Sequence, residues 1–259
     1  MRQIYPEPAV LTDHELAGRY RPPDQAGEAP HWLRANMVTS LDGAAALEGR
    51  SGGLSGRADQ QVFAMLRALA DVVVVGAGTA RVEGYRPVRP REEGVRWAWL
   101  REGRAPSPPI AVVSRRLDLD LASPLLAASP AHARTIVITT EAAPPGRRAA
   151  AAAGADVIVA GRESVDIQAA VGALAGRGYR QILTEGGPHL LSQIIAAGLL
   201  DELCLTISPL LAGPGATRIV AGAAPLHPPG GASAHHLRLA HVLAEDGHLL
   251  CRYLRPGAG

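Results

Sequence analysis

Four consecutive valines, Val72 to Val75, run straight into Gly76-Ala77-Gly78-Thr79, and this stretch constrains the chain more than any other. An unbroken β-branched run forms a strand covered on both faces, as in a parallel sheet. Glycines directly after such a strand let the backbone approach a ligand closely. The stretch is not a Rossmann fingerprint. G-x-G-x-x-G needs a third glycine where Arg81 stands, and no acidic residue is evident at the end of the next strand. It predicts a phosphate or cofactor loop of another kind.

The rest of the chain supplies strands and helices in alternation. Strand patterns fall at Leu33–Thr39, Asp71–Val75, Ile110–Ser114, Thr135–Thr139, Asp156–Ala160 and Gln181–Thr184. Helical spacing falls at Arg57–Ala70, with Ser55 as the expected N-cap, and at Pro144–Ala153, Asp166–Ala175 and His189–Ala197. Such alternation makes a mostly parallel sheet flanked by helices. The end of the chain differs. Glu202–Ser208, Leu237–Leu243 and His248–Tyr253 follow one another without helices, and Ala244–Gly247 carries a hairpin signal, so an antiparallel edge is expected. Residues 1–30 are proline-rich with little periodicity and read as an irregular arm; residues 31–255 read as one domain. Tyr85–Pro109, rich in arginine and proline, reads as a long loop of the kind often tied to function.

Composition narrows the chemistry. All 26 basic residues are arginine, which excludes a Schiff-base lysine, a P-loop lysine and a Tyr-x-x-x-Lys pair. A net charge of +2 with scattered arginines and 3% aromatic content gives no nucleic-acid footprint. Cys204 and Cys251 lie in apolar stretches and are expected to be buried, reduced thiols. No zinc motif, no G-x-S-x-G, no apolar leader and no run long enough to span a membrane is visible, so the expectation is a cytoplasmic protein without metal.

Several residues are candidates for a site. Glu185-Gly186-Gly187-Pro188 is a second glycine turn between a strand and a helix start, suited to a pyrophosphate. Ser114-Arg115 follows a strand on the same side and could grip a 2′-phosphate. Asp42, in Ser40-Leu-Asp-Gly43, is either an Asx-turn residue or a carboxylate at the mouth of the site; Glu185 faces the same choice. His189 is either exposed or a phosphate contact.

Four stretches in order, Ser40–Gly43, Gly76–Thr79 with Glu83, Glu185–Pro188 and Asp201–Gly213, resemble the pyrimidine reductase family of riboflavin biosynthesis, the reductase half of the bifunctional deaminase-reductase. The likeness runs from about residue 31 to 254. It implies a single dihydrofolate-reductase-like α/β domain, a homodimer, and hydride transfer from NADPH to C1′ of a ribosylamino group. Cofactor contacts are implied at Met37, Gly53, Thr79, Glu83, Ser114, Gly187, Pro188, His189 and Leu190, and the residues read above add Gly76, Ala77 and Gly186 of the glycine turns and Arg115. Substrate contacts are implied at Ser51, Arg67 and Glu185, with Arg86 or Arg89 gripping the phosphate, and Asp42 and Glu185 are the catalytic candidates.

The chain departs from the family in two ways. It has no deaminase motif, and Glu83-Gly84-Tyr85-Arg86 stands where the family has a second acidic residue and a proline. That second departure leaves two alternatives open: reduction of a dihydrofolate or dihydropterin on the same fold, and NADP binding without turnover.

Overall fold

The computed structural model describes residues 1–22, 31–89, 95–222 and 235–257. The chain opens with β1 (Arg2–Tyr5), β2 (Ala9–Val10), α1 (Asp13–Arg19) and β3 (Trp32–Thr39). It continues with α2 (Arg57–Leu69), β4 (Val72–Gly76), α3 (Ala77–Val82), a 3-10 helix (Val95–Arg101) and β5 (Ile110–Val113). Then come α4 (Pro124–Ala127), β6 (Ile136–Thr139), α5 (Pro145–Gly154), β7 (Asp156–Val159), α6 (Ile167–Gly176), β8 (Gln181–Thr184) and α7 (Pro188–Ala196). β9 (Glu202–Ile207), β10 (Arg238–Glu245) and β11 (His248–Leu254) close the chain.

Among the described residues these strands form one eleven-stranded sheet in the order β2-β1-β10-β11-β9-β3-β8-β4-β5-β6-β7. From β9 to β7 every neighbour is parallel, so those strands end at one edge. β11, β10, β1 and β2 extend the sheet antiparallel. The expected class, a mostly parallel mixed sheet with an antiparallel C-terminal edge, is the one found. The β10–β11 turn is the two-residue kind the sequence signals: Asp246 and Gly247 both take positive φ, 52° and 78°, which matches the twist of the strands.

Apolar side chains pack both faces of the parallel half. α2 and α3 pack in one cluster with Val73, Val75 and Ile110 on one face, and α1 joins the same cluster with Leu243 and Leu250. α6 and α7 cover Leu33, Val72, Val74 and Ile182 on the other. Both faces of β4 are therefore buried, which is why it reads as unbroken valine.

The N-terminal segment is not an irregular arm. β1 pairs with β10, and α1 begins at a reciprocal cap in which the Glu15 amide donates to Thr12 Oγ1 (3.3 Å) and the Thr12 amide donates to Glu15 Oε2 (2.8 Å). The segment is fastened by a buried charge cluster. Glu202 accepts from Arg34 Nη2 (at Oε2, 2.9 Å), Arg252 Nε (at Oε1, 2.8 Å) and the Trp32 indole N–H (2.8 Å). The same two guanidinium groups donate to the Tyr20, Arg19 and Arg21 carbonyls at the end of α1. Those carbonyls have no partner within the helix, so the arginines both cap it and hold it to the sheet. The two cations keep the Glu202 carboxyl at about 2 although burial works against them. Residues 23–30 of the expected arm and 90–94 of the expected loop lie outside the described residues. The remainder of that loop is partly ordered, with Trp97 buried in the 3-10 helix.

Candidate active site

The carboxyl edge of the parallel strands carries a cavity of about 560 Å³. β3 contributes Asn36 and Met37, α2 contributes Asp59, Gln60 and Phe63, and α3 with its following turn contributes Gly78, Thr79, Glu83 and Tyr85. Glu185, Gly187, Pro188 and His189 enter from the end of β8, and Ser51 and Gly52 from the loop before α2. Ligands of open α/β sheets occupy this edge, where neighbouring strands lead their connections to opposite sides.

The two glycine turns named from sequence meet here. The Gly76 amide donates to the Gly186 carbonyl at 2.8 Å, and the Glu185 amide donates to the Val74 carbonyl at 3.1 Å. A Cβ on Gly187 would lie 2.3 Å from Thr79 Oγ1, so only glycine lets the start of α7 approach α3 this closely. Gly186 takes φ +84, and a Cβ there would lie 3.1 Å from Met37 Sδ. Neither α3 nor α7 has a side-chain cap. The first amides of α7 are left to a ligand or water, and its dipole favours an anion there. Leu190 offers its amide alone, because its side chain is buried in the core under α7.

Glu185, Tyr85 and Phe63 form a second group in the same lining; Arg67, expected to touch the substrate, stands behind them and borders a separate cavity of about 260 Å³. Glu185 is paired to Arg67 at both oxygens, Nε to Oε1 at 2.7 Å and Nη2 to Oε2 at 2.8 Å, and the Tyr85 hydroxyl donates to Oε2 at 2.6 Å. The Arg67 guanidinium stacks over Phe63, 4.2 Å from the ring centre. Arg67 is presented by α2, whose last carbonyls are capped by Arg101 (to Ala68, 3.2 Å, and Ala70, 2.7 Å) and Arg104 (to Leu69, 3.2 Å). Burial, with Arg104 alongside, brings the Arg101 guanidinium down to about 10. Ser51 and Glu83 also meet, the Ser51 amide donating to Glu83 Oε1 at 2.7 Å.

Other sequence candidates lie elsewhere. Asp42 does not line the cavity. Its carboxylate accepts from Ser40 Oγ and from the Ala212 and Gly213 amides (3.1 and 2.8 Å), and these bonds hold it at about 2. It locks the loop after β9, which corrects the expectation of a proton-transfer group at the mouth. Arg86 borders a separate cavity of about 300 Å³ below α3, and Arg89 one of about 260 Å³ behind α2, so neither reaches the main cavity. The reason is local: Gly84 turns at φ +69, and Tyr85 rather than an arginine enters the wall. Gly76, Ala77 and Gly186 stand behind the lining, and Gly53 packs on Leu47 beside it. Ser114 is buried at the end of β5, with Arg115 exposed next to it; neither borders the cavity. Ser55 is not the cap of α2. Gly56 takes that place, and Ser55 Oγ donates to Asp59. Asp59, Phe63, Gln60 and Asn36 are site residues that sequence reading missed. The spacing of Asp59, Phe63 and Arg67 at four-residue steps on α2 was the available signal. Among the described residues no cluster of metal-binding side chains occurs.

Fold and cavity together define an α/β protein whose ligand site lies where paired glycine turns end adjacent parallel strands. The chain belongs to the family of the RibD C-terminal domain, which matches residues 31–250. This is the pyrimidine reductase family that the sequence resembles. A curated relative from Archaeoglobus fulgidus, 2,5-diamino-6-ribosylamino-4(3H)-pyrimidinone 5′-phosphate reductase, is 30% identical over 183 residues, 70% of this chain and 82% of the relative. A relative of the same description from Methanothermobacter thermautotrophicus is 27% identical over 230 residues, 86% of this chain and 97% of the relative. Among solved structures, a pyrimidine reductase-like protein from Corynebacterium diphtheriae superposes with TM-score 0.80 at 28% identity, covering 94% of this chain and 98% of that one. Acinetobacter baumannii RibD shares the fold, with TM-score 0.69 at 22% identity over 89% of this chain and 60% of that one. The family match begins at residue 31, so β1, β2 and α1 precede it.

Proposed function

We propose that the chain is an NADPH-dependent reductase that delivers hydride to C1′ of the ribosylamino group of a pyrimidine ribosyl phosphate, giving a ribitylamino product. The observation that carries this reading is the contact between the Gly76 and Gly186–Gly187 turns beside the Arg67–Glu185 pair. It puts an anion-binding backbone and a fixed carboxylate in one cavity. The relatives from Archaeoglobus and Methanothermobacter, named for reduction of such a pyrimidine, support the substrate class.

In this reading Gly187, Pro188, His189 and the Leu190 amide hold the pyrophosphate, with Gly76, Ala77 and Gly186 shaping the turn beneath it. The uncapped first turn of α7, with no side-chain cap on its amides, fits an anionic group at this edge of the cavity. Thr79 and Glu83 position the cofactor's middle, and Met37 and Gly53 lie along its groove. Ser114 and Arg115 are assigned to its adenosine end. When bound, the nicotinamide supplies the hydride, and the protein excludes water and fixes the distance. Glu185 and Ser51 orient the ribosyl phosphate, and Arg67 holds Glu185 in place. Asp42 is assigned to the loop after β9 and takes no part in proton transfer.

The antiparallel half of the sheet supports a homodimer. Leu203, Leu205 and Ile207 of β9 alternate with buried residues and stay partly exposed, as do Val242 of β10 and Leu249 and Tyr253 of β11, which pair on the same face. A contiguous apolar face of this kind is what a second copy would cover. Two free, buried cysteines suit a reducing, cytoplasmic compartment. Among the described residues no helix is long and apolar enough to cross a membrane.

The test is steady-state oxidation of NADPH with the diaminopyrimidinone and uracil forms of the ribosylamino phosphate, and with dihydrofolate. The reading expects turnover with at least one of the ribosylamino phosphates. Turnover with dihydrofolate alone would overturn it.

A further inference from the structure

Tyr85 enters the cavity wall from the turn at which the chain departs from the family pattern. After α3 the chain bends at Gly84, and the Tyr85 amide closes the bend on the Ala80 carbonyl at 2.9 Å. The ring lies 5.5 Å from the Arg67 guanidinium carbon, and the hydroxyl reaches Glu185 Oε2 at 2.6 Å. A carboxylate has about four acceptor positions. On Glu185 two are taken by Arg67 and one by Tyr85, which leaves one for a ligand in the cavity it lines. The ring also stands between the main cavity and the smaller one below α3, since it borders both.

The Arg67 guanidinium, stacked on Phe63, holds both Glu185 oxygens from α2. The Tyr85 hydroxyl adds a donor from a second element, which fixes the carboxylate from another direction. Burial, with the Glu185 charge second, pushes the phenol well above its ordinary range, so it stays a donor at working pH. Asp59 from α2, Glu83 from the end of α3 and His189 from α7 are the other titratable groups of this wall.

We propose that Tyr85 is a positioning residue for the substrate: its hydroxyl fixes the Glu185 carboxylate so that the remaining acceptor faces the bound heterocycle or ribose, and its ring closes that end of the cavity. The site then selects substrates that present an N–H or O–H donor to Glu185. This rests on the reductase reading of the cavity.

Tyr85→Phe keeps the ring and removes the donor. The expected result is a KM for the pyrimidine phosphate raised about tenfold, a kcat within about threefold of wild type and an unchanged Kd for NADPH. In a cycle with Glu185→Gln, the two losses in substrate affinity should fall well short of adding, because both variants break the same bond. A proton NMR signal of the buried, slowly exchanging Tyr85 hydroxyl should be present in wild type, absent in Tyr85→Phe and moved upfield in Glu185→Gln. An unchanged KM in Tyr85→Phe overturns the proposal, and so does strict additivity in the cycle. Parallel changes in KM, kcat, NADPH affinity and Tm also overturn it, because they mark a structural role. A wild-type chain that oxidises no NADPH with either pyrimidine overturns the reductase reading and this role together; active wild type with an indifferent Tyr85→Phe overturns this role alone.

Discussion

His241 should set how the fold responds to acid. It lies on β10, 3% exposed, with its ring edge-on to Tyr20 at 4.8 Å between ring centres. Its Nε2 is buried without a hydrogen-bond partner among the described residues. Burial first, then the Arg252 guanidinium, brings it from its ordinary 6.5 to about 3; Arg19 and Arg34 act in the same direction and Glu202 against them. The unfolded chain therefore binds a proton that the folded one refuses. The stability from this group is complete above pH 6.5 and is lost as pH falls from 6.5 toward 3. At pH 5 the unfolded histidine is about 1.5 pH units below its midpoint, so the loss is about 2 kcal/mol relative to pH 8. With a urea m-value of about 3 kcal/mol/M for a chain of this size, the midpoint should fall by about 0.7 M. His241→Phe keeps a ring against Tyr20 and removes the proton. Urea melts of the two proteins at pH 8 and pH 5 should show the variant about 2 kcal/mol less sensitive to the change. If both lose the same stability, His241 is not the group that binds the proton. The carboxylates act alike in both proteins and cancel in the comparison: Glu202, held at about 2, loses its contribution only as pH falls below its ordinary 4.5, and Asp201, raised by burial, acts with the opposite sign.

Three further outcomes test the rest of the account. Glu202→Gln leaves Arg34 and Arg252 buried without their shared anion, so stability should fall by about 3–5 kcal/mol in denaturant melts, with protease cutting near residue 20 while the parallel strands β3 to β9 remain folded. Gly187→Ala puts a Cβ against Thr79 and should raise the Kd for NADPH at least tenfold, measured by fluorescence titration, with little change in KM for the pyrimidine at saturating cofactor. Asp42→Asn should keep turnover within about threefold of wild type while lowering Tm, because Asp42 faces the Ala212 and Gly213 amides and not the cavity; a loss of a hundredfold or more would restore it to the chemistry.

The fold was legible wherever hydrophobic period and turn chemistry agreed. Val72–Val75 is buried on both faces and could only be an inner strand, and Asp246-Gly247 could only be a tight hairpin turn. The start of the chain misled because its prolines outweighed a short signal, Thr12-Asp-His-Glu15, the S/T-x-x-E pattern of a capping box. α3 was read as loop because Gly76 and Gly78 disfavour helix, yet Gly76 is only its cap and Gly78 sits in its first turn. In the site, the glycine turns were visible because close backbone approach leaves a mark in composition. The direction of a side chain leaves none. Arg86 and Arg89 carry the right charge for a phosphate but lie on the far side of the bend at Gly84, while Tyr85 turns inward. Asp42 shows the same limit. Its Ser-Leu-Asp-Gly turn was evident, but the amides it serves lie 170 residues away in sequence.

The central claim, hydride delivery from NADPH to C1′ of the substrate, is tested most directly by isotope. The protein would be given NADPH carrying deuterium at C4 of the nicotinamide and the ribosylamino pyrimidine phosphate, and the product analysed by mass spectrometry and NMR. The account predicts one deuterium at C1′ of a ribitylamino product when one face of the nicotinamide is labelled, and none when the other is. Deuterium at neither label position, or NADPH bound without product, would contradict it.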